Sequence, residues 1–152
     1  IEIVKKNSLR YQLSYSYENF SFKTVAEGNM VQKGGKAGYT YGLTAYQDLT
    51  YAFAFLPLKI DFRYQFFDAV AYENRLYAYE KDVLYAFSIP MYYGAGSRYY
   101  LNLKYELNRQ FSLWFKIAQT VYADDREEIG SGKEKIFGNK ITDVKFLLRC
   151  NF

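Results

Sequence analysis

Hydrophobic and polar residues alternate along most of this chain. In residues 143–152, Val144, Phe146, Leu148, Cys150 and Phe152 fall on one parity, and Asp143, Lys145, Arg149 and Asn151 on the other, with Leu147 the apolar exception. Successive side chains of a strand face opposite ways, so this segment reads as a ribbon with one apolar and one largely ionic face. The pattern recurs. Tyr99, Leu101, Leu103, Tyr105 and Leu107 oppose Arg98, Asn102, Lys104 and Glu106. Leu58, Ile60, Phe62, Tyr64 and Phe66 oppose Lys59, Asp61, Arg63 and Gln65. Leu9, Tyr11, Leu13, Tyr15 and Tyr17 oppose Arg10, Gln12, Ser14 and Ser16. Phe111, Leu113, Phe115, Ile117 and Val121 oppose Ser112, Lys116 and Thr120, while Gln119 breaks the apolar parity and marks a boundary.

Less regular strands are expected at residues 20–31, 38–53, 74–79 and 83–91. With the N-terminal fragment Ile1-Glu2-Ile3-Val4, the pattern predicts roughly ten strands. Short connections are expected at Glu18-Asn19, Phe55-Leu56-Pro57, Glu80-Lys81-Asp82 and Asn108-Arg109-Gln110, and longer ones at residues 32–37, 68–73, 92–97 and 124–140. Short and long connections alternate, as in an up-and-down barrel with tight turns at one rim and loops at the other. The alternation puts the C-terminus at the short-turn rim, the periplasmic side of a bacterial barrel. No helical period, repeat or linker divides residues 1–152. The fold class expected is all-β: an antiparallel up-and-down transmembrane β-barrel, or the C-terminal part of a larger one.

Alternation alone does not say which face is inside, because a soluble sandwich or ligand-binding barrel alternates too. Composition tips the reading. Of 152 residues, 18 are Tyr and 13 are Phe, and they concentrate at strand ends: Tyr15, Tyr17, Phe20, Phe22, Tyr51, Phe53, Tyr99 and Phe111. Membrane barrels carry such aromatic girdles at both interfaces. Strands of about ten residues match a bilayer's hydrocarbon thickness, whereas soluble strands average about five or six. The last strand, with Val144, Phe146, Leu148 and Cys150 leading to a terminal Phe152, looks like an outer-membrane insertion signal. Mean hydropathy is -0.31, and charges interrupt every apolar run, so no spanning helix is encoded. The chain shows no signal peptide and reads as a mature or truncated product.

The C-terminal part resembles a known family. The residues that carry the likeness are Tyr72-Glu73-Asn74-Arg75-Leu76-Tyr77-Ala78-Tyr79-Glu80 and Asp82-Val83-Leu84-Tyr85-Ala86-Phe87-Ser88-Ile89-Pro90. They continue in Tyr92-Tyr93-Gly94-Ala95-Gly96-Ser97-Arg98-Tyr99-Tyr100-Leu101, Leu113-Trp114-Phe115, Ala118-Gln119-Thr120, Ile129-Gly130-Ser131-Gly132 and the closing strand. Over roughly Tyr39 to Phe152 the chain resembles the C-terminal β-barrel portion of Bacteroidota-type helix-hairpin-helix outer-membrane proteins. The resemblance implies a barrel with further strands upstream. The helix-hairpin-helix part is absent here, so no nucleic-acid role carries over, and no activity is implied.

Candidate chemistry is sparse. With no His, a Ser-His-Asp triad is impossible and the His-dependent outer-membrane lipases and deacylases are disfavoured. Cys150 is the one cysteine, on the apolar parity and without a His partner, so it reads as a small lipid-facing residue rather than a nucleophile. The usual zinc sites are excluded, and neither metal nor cofactor is expected. Asp124-Asp125-Arg126-Glu127-Glu128 is the densest acidic run. It reads first as a solvated loop, and second as a Ca²⁺ or lipopolysaccharide-bridging site. Gly130-Ser131-Gly132-Lys133 lacks a phosphate loop's spacing, and Gly34-Gly35 reads as a turn. The net charge of +4 suits solvated lysines or attraction to anionic headgroups, and no basic cluster is dense enough for nucleic acid.

The most informative group is the ionic parity: Arg10, Lys23, Glu27, Lys59, Asp61, Arg63, Lys104, Glu106, Lys116, Asp143, Lys145 and Arg149. In a membrane barrel these face the lumen, because Arg or Lys on the lipid face at mid-bilayer costs about 2–4 kcal/mol. Their mixed signs suggest a salt-bridged, self-filled interior, with a solute-selecting pore as the alternative. The function expected is therefore a non-enzymatic structural or accessory subunit of an outer-membrane assembly. Its partners would be outer-membrane lipid and lipopolysaccharide, and other outer-membrane proteins. A solute channel is the second reading and a soluble ligand-binding barrel the third.

Overall fold

A computed structural model describes residues 4–33, 38–130 and 132–151. In chain order the strands are β1 (Val4–Tyr17), β2 (Phe20–Lys33), β3 (Thr40–Ala52), β4 (Leu58–Ala69), β5 (Leu76–Tyr77), β6 (Met91–Tyr92), β7 (Gly94–Glu106), β8 (Phe111–Tyr122), β9 (Glu128–Ile129), β10 (Ile136–Phe137) and β11 (Lys140–Cys150). Seven long strands form one antiparallel sheet in the order β1-β2-β3-β4-β7-β8-β11. The pairs β5–β6 and β9–β10 are separate two-stranded ribbons. No α-helix occurs among the described residues. The chain is thus all-β and antiparallel, and each long strand pairs with the next. The sheet is open, with β1 and β11 as its edges.

Register turns the sequence parity into two surfaces. On one face, Tyr15, Phe22, Leu49, Phe62, Leu101, Ile117 and Val144 lie side by side across all seven strands. The next row, Tyr17, Phe20, Tyr51, Ile60, Leu103, Phe115 and Phe146, is equally apolar. This face is open: Leu9 is 79% exposed and Phe146 64%. Gln119, which breaks the parity, joins a polar patch there, accepting from the Tyr99 hydroxyl at 2.5 Å and donating to Thr142 Oγ1 at 2.9 Å.

The opposite face is polar; it is largely covered on β2, β3, β4, β7 and β8 and exposed along β1. Residues 70–93, between β4 and β7, fold back across it. Leu76, Ala78 and Tyr92 pack there against Val25, Tyr46 and Phe67, forming the apolar core. Burying a side chain such as Leu76 contributes about 1.5–3 kcal/mol.

This covering segment corrects the strand count. Residues 74–79 and 83–91 are not strands of the sheet. They alternate locally, with Leu76 and Ala78 inward and Tyr77 and Tyr79 outward, so their period of two is real. The segment lies on the sheet instead of within it because its charged residues meet opposite charges there. A 3-10 turn at Tyr72–Asn74, the β5–β6 ribbon and a single bridge between Glu80 and Ser88 are its only regular features. Val4 belongs to β1, so the N-terminal fragment is no separate strand; Ile1, Glu2 and Ile3 lie outside the described residues. The glycine-rich stretch expected as a loop at residues 92–97 instead begins β7. A Cβ on Gly96 would lie 2.5 Å from the Val121 carbonyl oxygen and 2.9 Å from the Phe67 ring, so glycine is there for close packing. With these corrections, short and long connections still alternate. Asn151 donates to the Gln110 carbonyl, which sets the end of β11 beside the short β7–β8 turn.

Candidate functional site

The site is the contact between residues 70–93 and the polar face of the sheet. On that face Ser14, Lys23, Asp48, Arg63, Tyr100, Ala118 and Asp143 make one cross-strand row. Ser16, Ser21, Thr50, Asp61, Asn102, Lys116 and Lys145 make the next. The second row sets Lys116 directly opposite Lys145. Like charges in such positions repel.

The covering segment answers this row with Glu80, Lys81 and Asp82. Asp82 accepts from Lys145 at 2.6 Å and lies 3.5 Å from Lys116, which sets one carboxylate between the two ammonium groups. Lys81 pairs with Asp61 and donates to Thr50 Oγ1 at 2.6 Å. Glu80 is fully buried. Its carboxylate accepts from Arg98 Nε at 2.7 Å and Nη2 at 3.1 Å, from Lys116 Nζ at 3.1 Å, and from the Tyr92 hydroxyl at 3.1 Å. Three consecutive residues, alternating in sign, thus bind charges on β4, β7, β8 and β11.

Other contacts extend the latch. Arg63, 2% exposed, donates to both Asp48 oxygens and, at 2.8 Å, to the Tyr79 carbonyl of the covering segment. Its guanidinium lies 3.9 Å from the Tyr46 ring centroid. Arg98 also donates to Thr120 at 2.8 Å and to Asp143 at 3.3 Å. Near the other end, Asn74 and Asn29 exchange hydrogen bonds: Asn74 Nδ2 donates to Asn29 Oδ1 at 2.7 Å, and Asn29 Nδ2 to the Asn74 carbonyl at 2.9 Å. Gly42 makes room for this contact, since a Cβ there would lie 2.5 Å from the Asn74 carbonyl oxygen.

Electrostatics favour the charged state of the latch. Burial pushes the Glu80 carboxyl up, but Arg98 and Lys116 outweigh it and hold it below the ordinary glutamate range. Burial pushes Asp82 up as well, and Lys145, the Val83 N–H and Lys116 together hold it below the ordinary aspartate range. The Tyr92 hydroxyl is pushed upward, chiefly by burial and then by Glu80.

The expected inward residues occupy the polar parity throughout. Asp61, Arg63, Lys116, Asp143 and Lys145 meet at the latch. Arg10 and Glu27 pair with each other at 3.0 Å, and Lys23 lies 3.7 Å from Asp48. Lys59, Lys104, Glu106 and Arg149 sit apart near the short-turn rim, with Lys104 paired to Glu106 at 2.7 Å. Val144, Phe146, Leu148 and Cys150 are exposed on the apolar face; Phe152 lies outside the described residues. Asp48, Glu80, Lys81, Asp82 and Arg98 complete the site and were absent from the inward set. Arg98 had the right parity. Asp48 was masked by the inward Tyr46. Glu80-Lys81-Asp82, expected as a short connection between two strands, instead docks on the sheet; nothing local distinguishes a charged turn from a charged latch.

The acidic run at residues 124–128 is a different kind of cluster. Asp124 pairs with Arg126 at 2.5 Å and Glu128 with Lys135 at 2.7 Å, all within one loop. Among the described residues no group of acidic, His and Cys side chains is arranged to hold a metal ion.

No family model, no curated protein and no solved structure matches this chain.

Proposed function

We propose that the chain forms wall and filling of an outer-membrane β-barrel and acts there as a non-enzymatic structural or accessory subunit. One observation carries this reading. The face made of Tyr, Phe, Leu and Ile is the exposed one, whereas on the opposite face Asp48, Asp61, Arg63, Arg98 and Lys116 of β3, β4, β7 and β8 are buried where the chain's own covering segment lies. A soluble β-barrel has the reverse arrangement, and a seven-strand apolar surface left in water is unfavourable. Acyl chains would cover it. The long strands, from 11 residues in β11 to 14 in β1, reach the roughly 9–11 residues a tilted spanning strand needs. The covering segment joins β4 to β7 at the long-connection rim and folds inward, so in a barrel it would occupy the lumen as a plug.

Reconstitution tests this. The protein is expected to require detergent, to enter lipid vesicles, and to migrate differently on a gel before and after boiling. Monodisperse behaviour in plain buffer would overturn the reading.

The solute-channel reading rests on a cavity of about 280 Å³ between the covering segment and β8–β11, lined by Arg98, Lys116, Asp143 and Lys145. The latch weighs against it, because each of these charges is paired: Arg98 and Lys116 with Glu80, Arg98 also with Asp143, and Lys145 with Asp82. Stepwise conductance across a planar bilayer at neutral pH would favour the channel over the plugged subunit.

A further inference from the structure

Resting on the barrel reading, we propose that an odd number of further antiparallel strands, from the polypeptide immediately ahead of β1, joins β11 to β1, brings carboxylates to its inner face, and covers the far side of residues 70–93.

Three observations lead here. The first is direction. Six successive antiparallel pairings link β1 to β11, so these two edges run the same way. Direct closure would pair them in parallel, with no crossover between them. Only an odd number of intervening strands makes every contact antiparallel, and the total then becomes even, as in bacterial single-chain barrels.

The second is charge. On its polar face β1 carries Lys6 and Arg10 and no carboxylate, and Arg10 is answered by Glu27 of β2. On the same face β11 carries Lys145 and Arg149 against the single Asp143, and Lys145 is answered by Asp82 of the covering segment. Arg149 Nε is buried with no hydrogen-bond partner among the described residues, at the polar face of an edge strand. A second copy of this chain would bring β1 against β1 and β11 against β11 by two-fold symmetry, cation on cation. Strands bearing Asp or Glu inward would bring carboxylates toward Lys6, which among the described residues bonds only backbone carbonyls, and toward Arg149. A meander that connects each long strand to its neighbour in chain order places the next strand beside β1 from the residues just before it.

The third is the outer side of the covering segment. Tyr77, Tyr79, Tyr85 and Phe87 are exposed there, and the Tyr79 and Phe87 rings lie 5.6 Å apart. Tyr85 holds a positive φ of 65° and is 85% exposed. A wall spanning from β11 to β1 would face these rings.

The polypeptide that carries this sequence, extracted from its own membranes in detergent, tests the proposal by native mass spectrometry. One copy per particle, with a mass above 17.9 kDa and extra residues ahead of Ile1, is expected. One copy at 17.9 kDa, two copies, or a stoichiometric second protein would each overturn it. In that same polypeptide Arg149→Glu is expected to abolish the heat-modifiable form, and Arg149→Lys to retain it. If Arg149→Glu leaves that form intact, the carboxylate requirement fails. A need for detergent tests the membrane reading separately, so the two failures are distinguishable.

Discussion

Two acidic clusters in this chain use the same chemistry under opposite conditions. Asp124 and Glu128 stand in the exposed connection between β8 and β11, paired to Arg126 and Lys135 of the same loop. Glu80 and Asp82 stand on the inner side of the covering segment, paired to residues of β7, β8 and β11. The hydrogen-bond lengths are similar. What differs is water. The Asp124 side chain is 56% exposed and the Glu80 side chain 0%. An exposed pair gains little, because solvent screens it and two long side chains must be held still. A buried pair has already lost its hydration, so removing one partner strands the other. Density of charge in a sequence is therefore a poor guide to where charge matters in the fold.

The sharpest way to break this contrast is Glu80→Gln. It keeps the shape and removes the charge that Arg98 and Lys116 share. The expected loss is about 3–5 kcal/mol of unfolding free energy, read from urea titration in detergent micelles. A double variant, Glu80→Gln with Arg98→Met, should recover part of that loss, because one buried cation goes with its partner. If Glu80→Gln alone shifts the urea midpoint no more than a surface substitution does, the latch contributes no stability.

Acid sharpens the same point. Both latch carboxyls are held below their ordinary values of 4.5 for Glu80 and 3.8 for Asp82. A depressed folded-state pKa contributes stability that is fully present above the unfolded value and is lost as pH falls through the folded one. The urea midpoint should therefore show no latch-dependent change from neutrality down to about pH 5, then fall below pH 4.5. The fall should be shallower in Glu80→Gln. Equal slopes for the two proteins would remove Glu80 from the titration.

Asn74→Ala probes the neutral end of the same contact. It deletes the bonds to Asn29 Oδ1 and the Thr40 carbonyl and leaves Asn29 buried beside Gly42. The expected cost is about 1–3 kcal/mol. Proteolysis should report it first within residues 70–93, and cleavage there at the same rate as in the parent chain would argue against a local anchor.

How much of this was legible depends on the face. The apolar rows were readable because each strand offers them the same kind of residue: Phe62, Leu101, Ile117 and Val144 share a parity and lie side by side. The polar face was only half readable. Arg63, Lys116 and Lys145 follow the period, but Tyr46, Phe67, Tyr100 and Trp114 share that face and blur it. They point inward because the covering segment supplies apolar partners from far along the chain and neighbouring strands supply cationic ones. Arg63, for example, stacks over Tyr46. Residues 74–91 were misread for a related reason. Period two reports a locally extended backbone and says nothing about whether its neighbour is a ladder partner or the face of a sheet.

The smallest effect expected comes from the loop cluster, and it is the control that gives the others meaning. Asp124→Asn removes the partner of Arg126, yet Arg126 stays near water and keeps its place 3.7 Å from the Tyr122 ring centroid. The pairing holds the Asp124 carboxyl below the ordinary aspartate range, but it does so in solvent, where a lost pair is replaced by hydration. No measurable change in urea midpoint is expected at moderate salt. A loss comparable to that of Glu80→Gln would mean that the loop is covered by something the exposed pair touches, and the contrast between wet and dry charge would no longer separate the two clusters.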